Sequence, residues 1–145
     1  MTSENGRPGA GSILWHDLTV ERAEEIRDFY GSVVGWEWEP VSMGGYDDFE
    51  MLPPGGDGAV AGVCHARGSN EGLPAQWLVY VSVEDLDASL SRCVEGGGAL
   101  VDGPRSTGDA RYCVIRDPAG AVMALYQPGP AGGGTSRDAP SGGEE

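Results

Sequence analysis

Leu18-Thr19-Val20-Glu21 and Val81-Ser82-Val83-Glu84 are two copies of one phrase, each ending a short apolar strand and opening an acidic helix. Gly58-Ala59-Val60 and Gly120-Ala121-Val122 repeat in the same way, opening another apolar strand at nearly the same offset. A chain that uses one supersecondary unit twice can build two half-sheets that face each other and enclose a cavity. Function is therefore to be sought in that cavity, and strand parity reveals part of its lining.

Working outward from the repeat, the hydrophobic pattern predicts a strand over Ile13–Val20 and a helix over Glu21–Val34. The helix turns Ala23, Ile26, Phe29, Tyr30 and Val33 inward and ends at Gly35. Strands follow over Trp36–Ser42, Tyr46–Leu52 and Ala59–Ala66, separated by Met43-Gly44-Gly45 and Pro53-Pro54-Gly55-Gly56. The second copy predicts a strand over Gln76–Val83 and a helix over Asp85–Glu95 with Leu86, Leu90, Cys93 and Val94 inward. Strands over Ala99–Asp102, Ala110–Arg116 and Ala121–Gln127 complete it, the last two joined by Asp117-Pro118-Ala119-Gly120. The expected fold class is α+β: tandem βαβββ modules forming a curved mixed sheet around a concave cavity. Residues 12–127 form the single domain, as modules 12–66 and 76–127 with a polar linker at 67–75. Residues 1–11 read as a flexible N-terminus and 128–145, rich in Gly, Pro, Ser and acid with little to bury, as a disordered tail.

Composition narrows the chemistry. The 145 residues carry a formal charge of −14, which argues against nucleic acid and anionic membrane as partners. All nine basic residues are arginine, so Schiff-base, Ser-Lys and phosphate-loop lysine chemistry are excluded. There is no 18-residue apolar run and no signal-peptide pattern at the start. Three widely spaced cysteines suggest reduced thiols and a cytoplasmic location. Arginine-only usage with abundant Gly and Ala suggests a high-GC genome.

The tandem βαβββ order, Trp15-His16-Asp17-Leu18-Thr19-Val20, Phe29-Tyr30 to Gly35-Trp36, and Asp117-Pro118-Ala119-Gly120 together resemble the vicinal oxygen chelate superfamily. That superfamily includes glyoxalase I, extradiol dioxygenases, fosfomycin-modifying enzymes and bleomycin-binding resistance proteins. The resemblance implies the fold, but this fold hosts several chemistries as well as simple binding. Metal-using members draw His, Gln or Glu ligands from the first and last strands of each module. Carried onto this chain, those positions hold Trp15, Gly62, Leu78 and Ala124, none of which can bind a divalent ion. The chain therefore resembles a metal-free branch, with no cofactor expected. His16 is one residue out of register, on the face shared by Leu18 and Val20, and reads as a structural or hydrogen-bonding residue. His65 lies at a strand end and is expected to be partly exposed. Superfamily members commonly pair, so a homodimer is a further expectation from the resemblance.

Parity instead lines the cup with Trp15, Asp17 and Thr19, and with Leu78, Tyr80 and Ser82. From the last strands come Val60, Gly62 and Cys64 in one module and Val122, Ala124 and Tyr126 in the other. Aromatic walls with a few polar groups suit a small organic molecule. Which face of 46–52 points inward is open: Tyr46, Asp48 and Glu50 alternate with Asp47, Phe49 and Met51. Asp17, a carboxylate among aromatics, would have a raised pKa and serve as a general base, or else pair with an arginine such as Arg111. Cys64 has no activating His on its face, which argues against a nucleophile. Two readings stand. One is metal-independent binding of an aromatic or cationic natural product by Trp15, Asp17, Thr19, Gly62, Cys64, Leu78, Tyr80, Ala124 and Tyr126, as in resistance proteins. The other is a metal-free isomerase, cyclase or lyase of secondary metabolism with Asp17 as base and Tyr80 or Tyr126 polarising the substrate.

Overall fold

The computed structural model describes residues 9–130. Of the N-terminus expected to be flexible (1–11), residues 1–8 lie outside the described residues, as do residues 131–145 of the expected tail (128–145). Strand β1 (Ile13–Val20) leads into helix α1 (Ala23–Val34), followed by β2 (Glu37–Ser42), β3 (Asp47–Leu52) and β4 (Ala61–His65). After a 3₁₀ turn at Gly68–Asn70 the order recurs: β5 (Leu78–Ser82), α2 (Leu86–Glu95), β6 (Ala99–Thr107), β7 (Ala110–Arg116) and β8 (Val122–Gln127). The fold is α+β with mixed strand pairing. The repeated phrase in the sequence is thus a repeated βαβββ structure.

The chain divides into two compact units: His16–Trp77 form one, and the residues up to Trp15 together with Leu78 onward form the other. In the 16–77 unit the strands stand in the order β2-β3-β4-β1. There β1 and β4 are parallel and the remaining pairs antiparallel. The other unit repeats this with the order β5-β8-β7-β6, β5 and β8 being the parallel pair. The start of the chain is tied into this second set: Gly11 N–H donates to Ser82 O at 2.7 Å and Ser82 N–H to Ser12 O at 2.8 Å.

Each helix covers one face of its own sheet. Beneath α1, Ala23, Phe49, Met51, Ala61 and Val63 are buried, with Val20, Ile26, Trp36 and Trp77 against them. Beneath α2 lie Leu86, Cys113, Ile115 and Leu125, with Val83, Leu90, Cys93 and Met123. Local chemistry sets the ends. Asp85 caps α2 by accepting from Ala88 N–H at 3.1 Å, and Gln127 Oε1 accepts from Leu86 N–H at 2.7 Å. Helix α1 ends at Gly35, whose φ of 90° is the left-handed conformation that favours glycine. In the β7–β8 hairpin, Asp117 Oδ1 accepts from the N–H groups of Ala119 and Ala121 at 2.8 and 3.0 Å.

Four expectations about packing and strand bounds are corrected. Phe29 and Val33 are not core residues of α1, being 54% and 63% exposed. Ala23 is buried there instead, with half-buried Ile26, Arg27 and Tyr30 continuing the stripe. The Arg27 guanidinium lies over the Trp38 ring at 4.0 Å and the Phe49 ring at 4.6 Å, so an arginine fills the place expected of an apolar residue. At about 100° per residue, Phe29 falls well outside that stripe. Val94 is likewise 57% exposed, at the end of α2. The strand expected at Ala99–Asp102 continues to Thr107, because irregularities at Leu100/Asp102 and Asp102/Arg105 let pairing with β7 resume past Gly103-Pro104. Strand β4 is shorter than Ala59–Ala66, leaving Val60 outside it and exposed.

Candidate functional site

Strand pairing fixes which residues share a face. In the 16–77 unit, Asp17 is opposite Gly62 and Thr19 opposite Cys64, while Glu50 is also opposite Gly62. Asp17, Thr19, Gly62, Cys64, Asp48 and Glu50 therefore occupy one face, and Phe49, Met51, Ala61 and Val63 the face under α1. This decides the question parity left open for β3: Asp48 and Glu50 accompany Asp17, and Phe49 and Met51 go to the core. The polar face is not a solvated surface. Asp17 and Asp48 are each 1% exposed, and Thr19 and Cys64 are buried with them. Buried carboxylates are costly unless they are partnered or serve a purpose beyond folding.

His65 was expected to be partly exposed and is instead buried at the end of β4. Its ring Nδ1 lies 3.3 Å from Asp48 Oδ1 and its Nε2 lies 3.1 Å from Glu24 Oε1 on α1. The backbone N–H of His65 also donates to Asp48 Oδ1 at 2.9 Å. The rings of Tyr46 and Phe49 enclose the imidazole at 5.3 and 6.0 Å, and Arg67 lies over Tyr46 at 3.9 Å. The two carboxyls respond in opposite directions. The hydrogen bond from His65 holds exposed Glu24 below its ordinary value. Burial pushes Asp48 up, against the hydrogen bonds from His65 and Cys64. In sequence the cluster leaves only an Asp near the start of β3 and a His ending β4, with nothing local to link them.

In the other unit, Tyr80 pairs with Ala124, Ser82 with Tyr126, Tyr112 with Tyr126 and Val114 with Ala124. Leu78, Tyr80, Ser82, Ala124 and Tyr126 therefore share a face, which Tyr112 and Val114 extend. Trp15, Leu78, Tyr80, Tyr112, Tyr126 and Ser82 are all buried. The Tyr80 and Tyr112 rings are 6.1 Å apart. Tyr112 was not among the expected lining residues; the β7–β8 register places it beside Tyr126.

Two other expectations change. Arg111 does not serve Asp17: both its terminal nitrogens reach Asp87 on α2 at 3.2 Å. That pair holds Asp87 below its ordinary value. His16 is exposed rather than packed under a helix, and its Nδ1 lies 3.2 Å from Val60 O, a local hydrogen-bonding role. A cleft of about 400 Å³ opens within the 16–77 unit beside Val20, Ile26, Leu73 and Ala75, with Glu21 and Arg22 in its wall. Of the residues expected to bind a ligand, Thr19 reaches it.

Residues 12–125 match the family model of the Glyoxalase/Bleomycin resistance protein/Dioxygenase superfamily. The chain belongs to this superfamily. Among curated proteins it is 34% identical over 120 residues to CFP32 of Mycobacterium tuberculosis, an alignment covering 81% of this chain and 46% of that protein. It is 32% identical over 136 residues to the anthracycline biosynthesis protein DnrV of Streptomyces peucetius, covering 82% of this chain and 48% of that one. The chain thus spans about half the length of the curated relatives it matches. A superfamily member from Vibrio splendidus has a similar fold, with a TM-score of 0.53 at 14% identity over 78% of this chain and 96% of that one. A methylmalonyl-CoA epimerase complex matches with a TM-score of 0.51 at 16% identity, over 85% of this chain and 98% of that one. Among the described residues no group of three His, Cys, Asp or Glu is placed to hold a metal. No described helix is long and apolar enough to cross a membrane.

Proposed function

We propose that this chain binds a small organic molecule, an aromatic or cationic natural product, on a sheet face turned away from a helix, and that it does so without a metal ion. One observation carries the reading: Asp17, Thr19, Asp48 and Ser82 are buried on such faces, while the faces beneath the helices are apolar. A face shaped by packing alone would be apolar on both sides, because burying hydroxyls and carboxyls costs free energy unless they are satisfied. Trp15, Tyr80, Tyr112 and Tyr126 supply flat apolar area with polar tips, suited to an aromatic ligand. The acids of the 16–77 unit would select positive charge. A relative named for anthracycline biosynthesis supports the same ligand class.

The competing proton-transfer reading uses Asp17 as base and Tyr80 or Tyr126 to polarise a substrate oxygen. Asp17→Asn separates the two. Binding of a neutral ligand survives this change, whereas base-catalysed turnover falls by the two to four orders of magnitude typical of a lost general base. The primary test is native mass spectrometry with metal analysis on protein purified under mild conditions. A co-purifying organic molecule without stoichiometric metal is the expected result. Stoichiometric zinc, iron or manganese would refute the metal-free reading.

A further inference from the structure

The two oxygens of Asp48 have different fates. Oδ1 accepts the His65 backbone N–H at 2.9 Å and lies 3.3 Å from the His65 ring, and the Cys64 thiol also hydrogen-bonds this carboxyl. Oδ2 is buried and makes no hydrogen bond with any described residue. Satisfying one strand-end N–H needs only one acceptor, which a serine or asparagine would provide. The carboxylate brings a second oxygen that the fold does not use, and a buried polar atom left in that state calls for an explanation.

The surroundings supply one. Asp48 lies on the face that also carries Asp17, Glu50 and Cys64, opposite the apolar core. Its orientation is fixed from the other side by His65, which is itself braced by Glu24 on α1 at 3.1 Å and enclosed by Tyr46 and Phe49. Arg67 and Arg27, the nearby cations, are engaged over the rings of Tyr46 and of Trp38 and Phe49.

We propose that Asp48 is a ligand-contact residue whose free oxygen accepts a hydrogen bond from a cationic N–H group, and that His65 is the residue that positions it. This rests on the small-molecule reading of the polar faces and names the polar group the ligand carries. Helix α1 takes part only through Glu24, which orients the imidazole. The direction of the Asp48 shift agrees: burial disfavours its ionised form in the free protein, and a cation delivered to Oδ2 restores it.

The test is equilibrium dialysis of the full chain against proflavine, a planar three-ring cation, and phenazine, a neutral planar three-ring frame. Thermal melts of each variant check folding. The wild type is expected to bind both and to prefer proflavine. Asp48→Asn keeps the acceptor for His65 and the side-chain volume; it is expected to weaken proflavine at least tenfold and to change phenazine less than twofold. His65→Ala is expected to lose most of the same preference, and His65→Gln, which can still donate to Asp48, to recover part of it. A purely structural role would weaken both probes together, and that result overturns the proposal. So does unchanged proflavine binding in Asp48→Asn, or a wild type that binds phenazine alone; in both cases the small-molecule reading stands. A wild type that binds neither probe overturns that reading and this proposal with it. Should Asp48→Asn fail to fold, the two His65 variants give the same discrimination.

Discussion

If Asp48 is kept for a ligand rather than for the fold, removing its charge should make the protein more stable. Burial raises the Asp48 carboxyl above its ordinary range, so folding disfavours the ionised form. The sign follows from linkage. The contribution of Asp48 to stability is fullest below the unfolded value, about 3.9, and is lost as pH climbs through the raised folded value. Asp48→Asn does not ionise and still offers Oδ1 to the His65 N–H, now held at 2.9 Å. An unsatisfied buried polar group costs about 1–3 kcal/mol, and more when charged. The amide nitrogen that replaces Oδ2 retains the neutral part of that cost. The net gain near pH 8 is therefore on the order of 1 kcal/mol, equivalent to a rise of roughly 3–6 °C in Tm for a domain of this size. As pH falls through the raised folded value the gain should shrink, because the wild-type carboxyl then takes up its proton. Urea melts followed by tryptophan fluorescence from pH 4 to pH 8 give the curve for both proteins. His65, Glu24 and Cys64 surround the same carboxyl, so the informative quantity is the difference between the two curves. A variant less stable by the same amount at every pH would show that Asp48 is a structural anchor, and the reasoning would fail.

Three further outcomes check the fold on which this rests. Met51 is fully buried under α1, so Met51→Ala should cost about 2–5 kcal/mol in chemical denaturation without altering proflavine binding by the folded protein. A methyl group at Gly98 would lie 2.7 Å from both Arg116 O and Cys93 Sγ, so Gly98→Ala should destabilise by about 1–3 kcal/mol in the same assay. Burial pushes the Cys113 thiol up to about 11, so iodoacetamide at pH 8 should leave Cys113 unmodified in the native protein and label it in urea, as peptide mass mapping would show.

The repeat and the strand parity were legible because both are local. A period of two puts Asp17 and Thr19 on one face whatever the rest of the chain does, and the observed pairing sets Gly62 and Cys64 beside them. Helix packing was less legible. A helical stripe is read from apolar residues, and here the stripe passes through Arg27, whose charge is accommodated by the rings of Trp38 and Phe49 from β2 and β3. Periodicity therefore assigned Phe29 and Val33 to the core in its place. The His65 cluster was the least legible. Its burial depends on Glu24, Asp48, Tyr46 and Phe49, which come from α1, from β3 and from the turn before it, and no local pattern announces their meeting.

That contrast bears on where the function lies. Residues that packing requires leave a periodic trace, since every second residue of a strand must be apolar where a helix covers it. Met51, Val63, Cys113 and Leu125 obey this rule. Asp17, Asp48 and Ser82 are buried to the same degree and break it. A stable sheet of this topology could be built with valine or threonine at each of these positions, so their carboxyls and hydroxyl must be retained against the preference of the fold. The Glu24–His65–Asp48 arrangement adds that one of these carboxyls is also held in a fixed orientation. An unused, oriented, buried acceptor costs the fold stability, and such a group persists when a partner from outside the chain completes it.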